Sequence, residues 1–479
     1  MPVVTCKTLR SITDVAAAIA IALIFVHAGR TLLVEPVAGV ADNGDGWRVM
    51  RPAGIAHTAP VDRFRHRFVR PRYTTEPGNM AVHPSSPAVV AALAKHLPFP
   101  GVPAGAMDLR QMGATYLLLL ALMVLASAAA GVPLPWVAAV AWALSDLRYL
   151  LFFNSFYADA AAVAGLAAMV LWVFAYARWR GRVGRRGFVA LAVSAVGLAL
   201  CVGLSSRAHQ ALPAVLLFIV AVAPPRRALR PAWIALTIGL TVVTLAAPMH
   251  FEWGRGHRFP QINRYHTVFR GVAALADDPE AVLDALDIDR RHLGRVGTAY
   301  FDGPVPPDLQ RALANVSRMD VLRLYFTRPG ALDRLRRRVE RIMGEGGPLR
   351  LGNLPRAAAP QQVTLPTEGG PRQLRSALMP HPALGWVLPL GCLAWLGIAA
   401  VRRWPWTGPR LATGLLLAVW ATEVTAAVLG DGTFSLRRHL LAATLSMDLL
   451  TVLVGGAVGL AALDRVRRWA VPSVSGAAA

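Results

Sequence analysis

The chain has 479 residues, 55% of them hydrophobic and only 16% charged, with a mean hydropathy of +0.45, a balance that describes an integral membrane protein with some soluble mass and sets soluble classes aside. A net charge of +23 would suggest nucleic acid for a soluble chain, but 48 of the 50 basic residues are arginines, Lys7 and Lys95 being the only lysines. Such a bias reflects codon composition, so arginines are weighed by position and no nucleic-acid partner is expected. Cys6, Cys201 and Cys392 lie near the N-terminus or inside apolar runs without metal-ligand spacing, which indicates neither a disulfide framework nor a zinc site.

Runs of about 20 apolar residues can cross the hydrocarbon core, and ten occur in order: 13–34, 111–131, 132–153, 158–177, 187–206, 211–225, 232–250, 384–401, 411–430 and 438–463. Lys7 and Arg10 before the run 15–26, with VHA at 26–28, have the form of a secretory signal, but the apolar stretch resumes at TLLV and favours a retained first helix. The third run carries Asp146 and Arg148 near one end, and the sixth stops at Pro224 and Pro225. Segment 35–110 is rich in Pro and Gly and reads as an ordered loop with short elements. Segment 251–383 contains helical units. DDPEAVLDALDI (277–288) sets an aspartate before Pro279, a helix start. Residues 329–343 place Leu332, Leu335, Val339 and Ile342 on one helix face, with Arg334, Arg336, Arg337, Arg338 and Arg341 over the rest, which suits either anionic headgroups or a solvated face.

Short loops give the sidedness. With the N-terminus cytoplasmic, the inner segments (the N-terminus, 131–135, 178–186, 226–230, 402–410 and 465–468) carry sixteen Lys and Arg, against three in the outer loops 154–159, 205–210 and 431–438. The expected organisation is an all-α polytopic membrane protein of about ten spans. Its parts are the cytoplasmic N-terminus and first helix (1–34), a first extracytoplasmic loop (35–110), spans two to seven (111–250), a mainly helical extracytoplasmic subdomain (251–383), spans eight to ten (384–464) and a cytoplasmic tail (465–479), all in the plasma membrane.

Polar side chains are costly at the hydrocarbon, yet they gather at the outer ends of spans: His27 and Arg30, Asp146 and Arg148, NSFYAD (154–159), RAHQ (207–210) and DGTFSLRRH (431–439). ADNGDGWRVMRP (41–52) falls on the same side. Taken singly, each has a plainer meaning: Asp146 with Arg148 as an ion pair ending a helix, Arg437, Arg438 and His439 as interfacial anchors, His83 as a hydrogen-bonded structural residue, and Asp42 as part of a turn, since Asp, Asn and Gly are turn formers. Together they point to one site at the outer membrane boundary.

These motifs in this order resemble the GT-C superfamily of membrane glycosyltransferases, in particular a group of bacterial hexosyltransferases for surface glycans. NGDGWRV (43–49) in a long loop after the first helix is similar to that group's NGD followed by an arginine. NSFYAD resembles FYSE, RAHQ resembles a basic residue followed by Gln, and GDGTFSLRRH (430–439) resembles a late loop in which GDG precedes Arg and His at the head of the last span. NRYHTVFRGVA (263–273), DPEAVLDALDI and GTAYF (297–301) resemble the group's second outer loop. One position departs: Asp159 stands where FYSE has Glu, with a shorter reach.

The resemblance implies inverting transfer of a sugar from a polyprenyl-phosphate donor to a hydroxyl of a cell-envelope glycan or glycolipid, with membrane lipids around the donor. That chemistry needs a base for the acceptor proton, donors for the charge growing on the leaving phosphate, and a groove for the isoprenoid tail. Asp45, ahead of Asp42, is the expected base. Gly44 and Gly46 would allow close approach of the acceptor. Arg48, Arg207, Arg437 and Arg438 suit phosphate oxygens, with His439 to orient phosphate or sugar hydroxyls. Asn154, Tyr157, Asp159, Gln210 and His83 would line the sugar or acceptor side. No cofactor is certain: Asp42, Asp45 and Asp159 could share a divalent cation or work as lone carboxylates. The competing class is a transporter or lipid flippase, for which Glu423 and Asp448 inside spans are the relevant residues. An acyltransferase would need a buried catalytic histidine, whereas His209 and His439 stand at span ends.

Overall fold

The computed structural model describes residues 6–61, 65–80, 85–179, 258–345, 351–358, 370–378, 385–405, 407–434 and 436–470. Helix α1 (Cys6–Leu33) is an unbroken apolar rod. The loop after it is ordered, with short elements as expected. It carries α2 (Trp47–Ala53), β1 (Ile55–His57), β2 (Arg72–Thr75), α3 (Ser86–Ala94) and β3 (Ala106–Asp108). The three strands form an antiparallel sheet in the order β1-β2-β3, with His57 opposite Tyr73 and Tyr73 opposite Met107. This sheet corrects the all-α expectation. Strands this short leave no periodic signature, and Tyr73 earns its place by packing edge-on to Phe156, 4.8 Å away.

Helix α4 (Arg110–Ala129) re-enters the apolar layer. The predicted third span, 132–153, is not one rod: α5 (Leu134–Leu144) and α6 (Leu147–Phe153) meet at 78°. Asp146 makes the break by capping α6, its carboxylate accepting from the Arg148 N–H at 2.9 Å. Helix α7 (Asp159–Trp179) follows. The predicted spans 187–206, 211–225 and 232–250 lie outside the described residues.

A helical subdomain comes next: α8 (Arg258–Tyr265), a π-helical segment (His266–Val272), α9 (Ala273–Leu275), α10 (Pro279–Ala285), α11 (Pro307–Asn315), α12 (Arg318–Thr327) and α13 (Ala331–Glu345). Asp278 caps α10 through the Ala281 N–H at 3.0 Å, with Pro279 at the first helical position as predicted. In α13 Leu335 and Val339 are buried, but Leu332 is 43% exposed and Ala331 takes the innermost place. Its arginines face partners within the chain: Arg336 pairs with Asp333 and Glu340, Arg337 with Asp333, and Arg334 with Asp277. That satisfies the solvated-face alternative and leaves these guanidinium groups less available to headgroups.

Helix α14 (Gly370–Leu378) leads to α15 (Val387–Val401), whose 15 residues fall short of the predicted span 384–401. Two long apolar helices close the chain, α16 (Gly408–Asp431) and α18 (Leu441–Ala470), joined by a loop and the single turn α17 (Leu436–His439). Among the described residues five helices, α1, α4, α7, α16 and α18, are long and apolar enough to cross a membrane, or six spans with the bent pair included. One core unites them with the first loop. A second core fills the subdomain and takes in Ala427 and Val428 of α16, Leu436 and Leu440 around α17, and Ala443 of α18. Helices α16 and α18 therefore contribute to both cores, and the connection between them packs into the second through Leu436 and Leu440.

A candidate active site where the first loop meets the last span

The two aspartates of ADNGDGWRVMRP do different work. Asp42 Oδ1 accepts from the N–H groups of Gly44 (2.7 Å) and Gly46 (3.0 Å), which makes the turn. Gly44 sits at φ +109°, open to glycine but strained for other residues, and a Cβ on Gly46 would press on the Asp42 carboxylate at 3.2 Å. The turn thus demands glycine at position 44 and is merely tight at position 46. His57 Nε2 lies 3.7 Å from Asp42 Oδ2, an electrostatic distance rather than a hydrogen bond. Burial pushes the Asp42 carboxyl up, but His57 and the two N–H groups outweigh it and hold its pKa below the ordinary value.

Asp45 projects out of that turn. Its Oδ2 accepts from Arg438 Nη1 at 2.7 Å, and Arg48 Nη2 stands 3.8 Å from Oδ1. Burial again raises its carboxyl, and Arg438 followed by Arg48 more than reverses the effect, so its pKa is lowered. The Asp45 side chain remains 33% exposed while that of Arg438 is 15% exposed. For Arg438, burial opposes the charge, and Asp45 and then Asp159 override it and raise its pKa. Asp159, buried at the start of α7, is a second carboxylate in the field of the same guanidinium.

Tyr157 ties the arrangement together. Its hydroxyl accepts from the Asn43 N–H (2.8 Å) and donates to the Ala41 carbonyl (3.1 Å), while its ring lies 5.2 Å beneath the Arg438 guanidinium. Burial raises its pKa, so the phenol keeps its proton. Tyr157, expected from NSFYAD on the sugar side, is only 4% exposed and braces the first loop against Arg438. Asn154 is likewise a clamp, fully buried, its amide donating to the carbonyls of Leu32 (2.8 Å) and Ala38 (2.7 Å). Both side chains are engaged within the chain. The reason lies across the fold: the chain leaving α1 packs against the α6–α7 turn, and its buried carbonyls of Leu32, Ala38 and Ala41 need donors.

Of the remaining predicted residues, His439 is half-buried and acts on Asp45 electrostatically, and Arg437 is exposed one position from Arg438. His83, Arg207 and Gln210 lie outside the described residues. His57 gives no signal in the sequence; only the β1–β2 pairing brings it to Asp42. Among the described residues no three His, Cys, Asp or Glu side chains gather to hold a metal. Asp42 and Asp45 are engaged by N–H groups, His57 and guanidinium groups, a poor fit to a cation, so no chemical step below runs through one.

Asp448 is one of the two intraspan carboxylates named for the transporter alternative. It is fully buried in α18, where Tyr149 donates to its Oδ2 at 2.5 Å and Arg375 of α14 stands 3.0 Å from Oδ1. Arg375 also donates to the Met343 carbonyl at 2.6 Å. The carboxylate thus pins α14 to the bundle.

Fold and cluster define a helical membrane protein with a charged site where a long loop meets the head of the last apolar helix. A family model described as the YfdI N-terminal transmembrane domain matches residues 5–468, and the chain belongs to that family. No curated protein and no solved structure matches it.

Proposed function

We propose that the protein is an inverting glycosyltransferase that moves a sugar from a polyprenyl-phosphate donor to a hydroxyl of a cell-envelope glycan or glycolipid at the outer face of the plasma membrane. The observation that carries this reading is the contact between Asp45 and Arg438, 393 positions apart in sequence. It sets a carboxylate that can accept a proton beside a guanidinium that can hold a leaving phosphate.

In such a reaction the acceptor oxygen attacks the anomeric carbon as the bond to the phosphate oxygen breaks. Asp45 takes the acceptor proton. Its lowered pKa keeps it ionised at neutral pH, although the same pairing makes it a weaker base, so it acts late, when the hydroxyl has become acidic through bond formation. Arg438, with Arg48 and His439 nearby, stabilises the charge that collects on the departing polyprenyl phosphate. Asp42 sets the turn that aims Asp45, and Tyr157 sets both Asp45's loop and Arg438. Of Glu423 and Asp448, on which the transporter alternative turns, Asp448 is engaged by a hydrogen bond from Tyr149 and an ion pair with Arg375.

The test is a transfer assay on the full chain in nanodiscs, charged with a panel of polyprenyl-phosphate hexoses and an envelope glycolipid extract, reading release of polyprenyl phosphate. Release by the wild type and its loss in Asp45→Asn is the expected result. Full release by the Asn variant would remove Asp45 from the mechanism, and no release with any donor would remove the transferase reading.

A further inference from the structure

GTAYF (297–301) carries an exposed ring in an unusual setting. Phe301 is 67% exposed, which forgoes most of the gain a phenylalanine ordinarily draws from burial. The turn that bears it is nevertheless firmly held. Gly297 N–H donates to the Phe269 carbonyl (2.7 Å), Tyr300 N–H to His266 Nε2 (3.0 Å), and Ala299 N–H to Asp302 Oδ2 (2.6 Å). His266 and Phe269 belong to the π-helical segment, a distortion that often marks functional positions.

That segment is in turn locked to the loop ahead of Arg438. The His266 ring stacks on Phe434 with centroids 4.1 Å apart, and Thr433 donates to the Arg270 carbonyl. Gly432 sits at φ +58°, and a Cβ there would meet the His266 carbonyl at 2.5 Å. Phe301 lies edge-on to His266 at 6.1 Å and to Tyr300 at 5.5 Å. An exposed aromatic ring is therefore mounted rigidly, one ring removed from Phe434, which precedes Arg438 by four positions.

We infer that Phe301 is a stacking platform for a sugar unit of an oligosaccharide acceptor, one or more residues away from the unit that reacts at Asp45. The inference rests on the glycosyl-transfer reading. A pyranose ring presents a face of C–H groups that packs on an aromatic ring, while its hydroxyls stay in water. That chemistry suits an exposed ring carried on a hydrogen-bonded turn. The donor's phosphate belongs at Arg438, so a ring on the subdomain side is placed for the partner that arrives from solution.

The experiment is saturation-transfer NMR on the full chain in nanodiscs with methyl gluco-, galacto- and mannopyranosides as probes. The wild type should transfer saturation to ring C–H protons of at least one probe, Phe301→Ala should reduce it at least about fivefold, and Phe301→Trp should restore it. Asp45→Asn should keep the signal while losing turnover. Equal signals from wild type and Phe301→Ala, or none from wild type, would overturn the platform. Retained turnover in Asp45→Asn would instead remove Asp45 from the mechanism, and no turnover in the wild type would overturn the transfer reading, leaving the NMR result to stand as sugar binding alone.

Discussion

Two aspartate–arginine pairs set the character of this molecule, and they differ in surroundings rather than in chemistry. Asp45 and Arg438 join the first loop to α17 with a third of the carboxylate side chain open to solvent. Asp448 and Arg375 join α18 to α14 with 0% and 5% of their side chains exposed. The open pair can exchange partners, because a phosphate or hydroxyl can reach it. The sealed pair cannot, and the cost of removing one charge from it falls on the fold. On the proposed transferase reading, two pairs with the same composition divide between chemistry and architecture by access to water.

The largest effect that separates them is expected at the sealed pair. Asp448→Ala leaves the Arg375 charge buried without its partner and should cost about 3–5 kcal/mol, seen as loss of monodisperse protein and a collapsed melting temperature in detergent. Replacing both residues with apolar ones, Arg375→Met with Asp448→Leu, should recover much of that loss. A stable Asp448→Ala protein would break the comparison.

The mirror result is expected at the open pair, where Asp45→Asn should lower transfer by roughly 10²- to 10⁴-fold with a nearly unchanged melting temperature, since the Asn oxygen can still accept from Arg438. Next in size is Arg438→Lys. Lysine gives up the planar fork and the stacking on Tyr157, so donor binding should weaken by about 1.5–3 kcal/mol, measurable by titration with the polyprenyl-phosphate sugar. Tyr157→Phe keeps the ring under Arg438 but strips the hydroxyl from Asn43 and Ala41. It should cost about 1–3 kcal/mol, read mainly as a lower kcat through misplacement of Asp45.

The smallest effect is on acid stability. Asp42 and Asp45 both have folded pKa values below the ordinary carboxylate value. Their stabilisation is therefore fully present above about pH 4 and is lost as pH falls through the lowered values. Melting temperature measured from pH 6 down to pH 3 should drop less in Asp42→Asn than in wild type. An identical profile would mean that the Asp42 turn does not depend on its charge.

Much of the architecture was legible in the chain. The helices α1, α4, α7, α16 and α18 fall within the predicted spans to within a few residues, apart from the ends of α1 and α18, because crossing a membrane depends on hydropathy summed over neighbours in sequence. The Asp278–Pro279 start of α10 is equally local. The break at Asp146 was visible only as an oddly placed charge pair, since a capping carboxylate reads the same at a helix end as at a kink. The three-stranded sheet left no trace, its strands being too short to show alternation.

At the site, composition and position marked Asp42, Asp45, Arg438, His439, Tyr157 and Asp159 as residues of one face, and local turn chemistry accounted for Asp42. Which of them touch was another matter. That Asp45 and not Asp42 meets Arg438, that Tyr157 and Asn154 brace loops, and that Asp448 is claimed by Arg375 were all decided by packing between segments far apart in the chain. The sequence by itself determined a membrane protein with polar residues gathered at one boundary, because burial preference belongs to each residue and its near neighbours. Only the tertiary structure decided which charges are paired in water's reach and which are sealed, because that depends on the two cores to which α16 and α18 both contribute.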